Sequence, residues 1–154
     1  MKKTSIFIQV FLGLFFWGWA QIETEQTSYA FRKVVPLEFD AAIQKTKSVL
    51  KKEGFGVLTE IDVKKTLKKK LNVDISPYII LGACNPPNAY KSIQAEPEIG
   101  LMLPCNVIVY VNEDGKTVVA AIDPLASMMA IKNPKLSKVA ALVQAKLKRV
   151  INNI

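Results

Sequence analysis

Cys84 and Cys105 are the residues of this chain best suited to chemistry, and the chain has no histidine. That combination is restrictive. It excludes a Ser-His-Asp or Cys-His nucleophile, a histidine-ligated zinc or haem, and an imidazole pH switch. Two cysteines also fall short of a four-thiolate zinc or iron–sulfur site within one chain. Two thiols can bond to each other, exchange with other thiols, or hold a soft cation such as Cu(I), which prefers thiolate and thioether ligands. They are not spaced as a Cys-X-X-Cys redox motif. Cys84 stands directly before Asn85-Pro86-Pro87, a helix start whose N–H groups favour a thiolate. Met102, within Leu101-Met102-Leu103, offers a thioether, but this pattern is more typical of core packing. The sequence does not specify a metal, and no cofactor is expected.

Three polar residues share a position with chemical consequences. Asp62, Asn85 and Asp123 each fall between the end of an expected strand and the start of an expected helix. Such residues cap helices by accepting backbone N–H bonds, at about 1 kcal/mol each. Were the strand ends to converge, the same positions would line a cleft, and helix N–H groups would suit a small anion. Asn106, next to Cys105, joins this candidate set. Asp62 and Asp123 can also be read as an acid/base pair, though their spacing does not demand it. Lys64, Lys65, Lys68, Lys69 and Lys70 crowd one helix. They read as a solvated face, with weak contact to anionic lipid as the alternative. Nucleic acid is not expected, because no aromatics interleave with the basic run.

The elements that must position these residues follow from periodicity. Tyr29–Val35 alternates and stops at Pro36, as a strand does. Phe39, Ala42, Ile43, Thr46, Val49 and Leu50 recur on a helical period, and Gly54 ends that helix. Phe55–Ile61 is a second strand and Val63–Leu71 a second helix. Tyr78–Cys84 reads as a buried strand, followed by a short helix opened by Asn85 and its prolines. Glu98–Pro104 is expected to be an extended return. Asn106–Asn112 and Lys116–Ile122 form a hairpin around Glu113-Asp114-Gly115. Asp123-Pro124 opens another short helix. The last helix, from about Pro134, buries Leu136, Val139, Ala140, Val143, Leu147, Val150 and Ile151 and leaves Leu142 outside the stripe. The fold class is α+β: one two-layer α/β sandwich with a mixed, mostly antiparallel sheet of about five strands and helices mainly on one face. The sheet brings Cys84 and Cys105 to one end.

The chain has 154 residues, a formal net charge of +8 and an apolar half, which suits one domain of ordinary size. Residues 1–20 have the order of a secretory signal peptide: Lys2 and Lys3, a fifteen-residue apolar run from Ile6 to Ala20, and small Gly18 and Ala20 before a cut at Gln21. The run is short of the roughly 20 residues needed to cross a bilayer. An uncleaved membrane anchor is the alternative. Cleavage removes two lysines and no acid, taking the charge from +8 to +6. Residues 21–28 form a polar lead and 29–154 the domain. Export to the periplasm or outside would permit a disulfide.

With these residues placed, the chain resembles the family called domain of unknown function 302. The matching pieces are Gly54-Phe55, Ile61-Asp62, Tyr78 to Pro86, Ala89-Tyr90, Glu96 to Gly100, Leu103-Pro104-Cys105-Asn106-Val107 and Asp123-Pro124. The resemblance implies a small two-layer sandwich, often self-associating, and no established reaction; a homodimer is the partner it suggests. Two functions of different class follow. The first is a non-catalytic exported module binding a small, perhaps anionic, ligand near Cys84, Asn85, Cys105, Asn106, Asp123 and Asp62. The second is a thiol redox or copper-like soft-metal protein using Cys84 and Cys105. Without histidine the balance leans away from an enzyme.

Overall fold

The computed structural model describes residues 23–154, and the signal-peptide expectation for residues 1–20 lies outside them. Six strands form one sheet: β1 (Glu25–Gln26), β2 (Ala30–Val35), β3 (Gly56–Asp62), β4 (Tyr78–Cys84), β5 (Cys105–Val111) and β6 (Thr117–Ile122). Their order across the sheet is β1-β2-β6-β5-β4-β3, and every neighbouring pair is antiparallel. The helices are α1 (Phe39–Lys52), α2 (Val63–Leu71), α3 (Pro86–Ala95), α4 (Pro124–Ser127) and α5 (Pro134–Asn152).

The core lies between one sheet face and the helices. Phe31, Val35, Ile79, Leu81, Ala83, Cys105, Val107, Val109, Val119 and Ala121 supply the sheet side. They alternate along their strands, as period-two side chains must. Ala42, Ile43, Val49 and Leu50 of α1 and Val143, Leu147, Val150 and Ile151 of α5 meet them. Leu142 is exposed, as its place outside the apolar stripe requires. Two salt bridges fasten this layer: Lys47 of α1 pairs with Glu60 of β3, and Arg149 of α5 with Glu53 at 2.8 Å.

Two readings of the sequence are corrected. The segment expected to be an extended return is a 3₁₀ helix over Pro97–Met102. Alternation of Ile99, Leu101 and Leu103 imitates a strand, but only Ile99 is fully buried, while Leu101 is exposed. β5 already has β4 and β6 on its two sides, so the segment has no place in the sheet there. It closes instead on local bonds, Ile99 N–H to Glu96 O and Leu103 N–H to Gly100 O. The polar lead, in turn, contains the edge strand β1. Its Glu25 lies opposite Arg32 and pairs with it at 2.7 Å. Cross-strand ion pairing, not apolar period, marks this strand.

The topology sorts the loops into two ends. Val35, Asp62, Tyr78, Val111 and Thr117 share one end; Ala30, Gly56, Cys84, Cys105 and Ile122 share the other. The second is the cysteine end.

Candidate functional site at the cysteine end

Each element at this end is fixed by a side chain that bonds backbone. Asn85 accepts a bond from the Asn88 N–H at 3.3 Å, capping α3, and donates its Nδ2 to the Gly54 carbonyl at 2.8 Å. It thereby ties the start of α3 to the turn after α1. Gly54 has φ +82°, a left-handed conformation that glycine adopts without a Cβ penalty. Asp123 accepts from the Leu125 N–H at 2.9 Å and, through both carboxylate oxygens, from Gln144 Nε2 at 2.9 and 3.0 Å. This locks α4 against α5.

Cys84 ends β4 and Cys105 begins β5. The register pairs Cys105 with Ala83, so Cys84 sits one residue out of step and is opposite Gly56 of β3. Strand alternation alone would send the two side chains to opposite faces. At the end of β4, where the chain turns into α3, both nevertheless border one hollow. Both thiols are free; Cys105 is buried and Cys84 half-buried. Burial pushes the Cys84 thiol above its usual range. Burial, and then the neighbouring Cys84, push Cys105 up to about 11. The unpaired site is therefore a protonated dithiol at neutral pH. Burial thus opposes the thiolate that the α3 N-terminus favours.

The hollow is walled by Phe55, Ala140 and Val143 on its apolar side and carries Met128 and Asn88 on its wall. Its free space, about 20 Å³, holds one water-sized body. No charged side chain lines it. Asn88 is 8% exposed, and its side-chain amide has no hydrogen-bond partner among the described residues. Among the described residues no fully buried side-chain nitrogen or oxygen lacks a partner, so this amide keeps a share of solvent at the hollow.

The residues singled out from sequence are thus divided. Cys84, Asn85 and Cys105 come together. Asp123 is at the same end but lines an adjoining hollow, with Met128 and Ala140 in the shared wall. Asn106 is exposed on the other sheet face, opposite Gly82. Asp62 lies at the far end beside Ile79, capping α2 through the Lys65 N–H at 2.8 Å. The antiparallel course of β3 against β4 separates it from the cysteines, so Asp62 and Asp123 do not face each other as an acid/base pair. Met102 is not on the cavity wall; Met128 is. Sequence reasoning missed Asn88, Met128 and Gln144. Asn88 stands in the first turn of α3, a place too ordinary for asparagine to single it out, and Met128 and Gln144 arrive only through tertiary packing.

The chain belongs to the family Domain of unknown function DUF302, whose model matches residues 31–154. It is similar to an uncharacterized conserved DUF302 protein from Bacillus stearothermophilus with a solved crystal structure. The two share 28% identity and a TM-score of 0.76 over 80% of this chain and 96% of that one. No curated protein matches the chain. Among the described residues no helix is long and apolar enough to cross a membrane.

Proposed function

We propose that this DUF302 chain is a non-catalytic binding module whose site is the hollow at the cysteine end, and that its ligand is a single soft cation of the Cu(I) type. The observation that carries the reading is the size and lining of that hollow: room for one water-sized body, bordered by the two cysteines and Met128. Thiolate and thioether sulfur are the donors that select Cu(I). Among the described residues no three His, Cys, Asp or Glu cluster, so oxygen- and nitrogen-loving ions have little to bind. An organic ligand has too little space, and an anion finds no cation on the wall. Disulfide catalysis is disfavoured by the offset register and by thiols held protonated, since the thiolate is the attacking species.

Binding exchanges protons for metal: Cu(I) forms bonds to two sulfurs, and the two thiol protons leave to solvent. Affinity should therefore rise with pH across the neutral range, with up to two protons released per ion. The order of basic, apolar and small residues in 1–20 supports export, which would place the module where such ions are handled outside the cytoplasm. The test is an anaerobic Cu(I) titration against a competing chelator. One ion per chain is expected, with loss of about tenfold or more on Cys84→Ser or Cys105→Ser. Wild-type affinity retained in both variants would reject the site.

A further inference from the structure

The far end of the sheet carries a second, unrelated feature. A groove of about 770 Å³ opens between the β2–α1 connection and the β5–β6 hairpin. That volume is within the range of small-molecule sites. Val34, Leu37, Phe39, Pro77 and Val111 make its walls apolar.

Three kinds of hydrogen-bond donor lie in it or at its rim, with Phe39 the α1 first-turn residue that lines it. Glu38 is the N-cap of α1, with extended backbone, yet its side chain makes no capping bond. The first N–H groups of this fourteen-residue helix are therefore left without an internal partner, since the first helical bond is Ala42 N–H to Glu38 O. Thr117 is 7% exposed and lines the groove, and its hydroxyl has no hydrogen-bond partner among the described residues. Lys116, beside it, adds an ammonium. Glu38 itself stands exposed in the lining and opposes an anion, and Asp40 is exposed in the first turn of α1.

We infer that this groove binds a carboxylate with an apolar chain. The head would rest on the α1 N-terminus, the Thr117 hydroxyl and Lys116, and the chain would lie along the apolar wall. The helix dipole and the donors favour a negative head. The groove is at the opposite sheet end from the cysteines, so the inference stands apart from the soft-cation reading.

The experiment follows backbone amide NMR shifts on titration of the purified protein with decanoate, acetate and decyltrimethylammonium. Decanoate should shift the amides of Phe39, Asp40, Ala41, Lys116 and Thr117 saturably. Acetate, lacking the chain, should bind at least tenfold more weakly, and the cationic amphiphile should leave these amides unmoved. Thr117→Val should weaken decanoate about fivefold, and Glu38→Gln should tighten it two- to threefold. If Thr117→Val fails to fold, Glu38→Gln alone still decides. Equal shifts from the cation would show a merely apolar patch, and no decanoate shifts at these positions would overturn the inference.

Discussion

Cys105 shows most directly how its surroundings set a residue's chemistry. Its thiol is raised from about 9 to about 11 by burial and by Cys84. The folded state therefore holds that proton more tightly than the unfolded chain. The associated stability is fully present below about pH 9 and is lost as pH rises through about 11. Two pH units correspond to roughly 3 kcal/mol of stability at most. Denaturant unfolding of the metal-free protein should show this fall between pH 9 and 11. In Cys105→Ala the slope should be much smaller, with Cys84 contributing in the same direction. A wild-type curve flat over that interval would mean that Cys105 is not desolvated. Cys84 and Cys105 could be named from sequence because their residue type limits what they can do. Asn88 and Met128 could not, since asparagine and methionine have too many ordinary roles for type alone to select them.

At the scale of elements, the ends of the strands are held by side chain to backbone bonds. Asn85 makes two, one within α3 and one to the Gly54 carbonyl. Asn85→Ala should remove both and cost about 2 kcal/mol, combining the loss of a cap and of a partly buried hydrogen bond. Chemical denaturation would measure it, and a loss below about 0.5 kcal/mol would show that α3 is held by packing alone. Gly82 in β4 is a different constraint. A Cβ there would collide with Thr59 Oγ1 and lie 2.8 Å from Pro104 Cγ. Gly82→Ala should therefore destabilise by about 1–3 kcal/mol, the usual cost of overpacking, and loosen the entry into Cys105. The helices were legible because their apolar stripes recur over many turns and their caps are explicit. Asp62, Asn85 and Asp123 all cap as their types require. The 3₁₀ segment was not legible, because a short run containing Ile99, Leu101 and Leu103 satisfies a strand pattern as well as a turn. The edge strand β1 was hidden for the opposite reason: two residues carry no period.

For the whole molecule, what the sequence lacked was register. Sequence order alone brings Cys84 and Cys105 to one end, because the chain leaves β4 and returns to β5 there. It does not say whether Asp62 joins them. That depends on β3 running antiparallel beside β4, which sends Asp62 to the far end. The same topology gives the molecule two different ends, a small neutral sulfur-lined hollow and a larger groove with helix N–H groups. The expectation of about five strands in an α+β sandwich agrees with the six-stranded antiparallel sheet found. The claim that most needs testing is that sulfur from Cys84, Cys105 and Met128 holds one soft cation. X-ray absorption at the copper edge on anaerobically Cu(I)-loaded protein reads the ligand shell directly. The expected shell is sulfur only, with three sulfurs in the wild type and two in Met128→Leu. A shell of nitrogen and oxygen, or one unchanged in Cys84→Ser and Cys105→Ser, would contradict it.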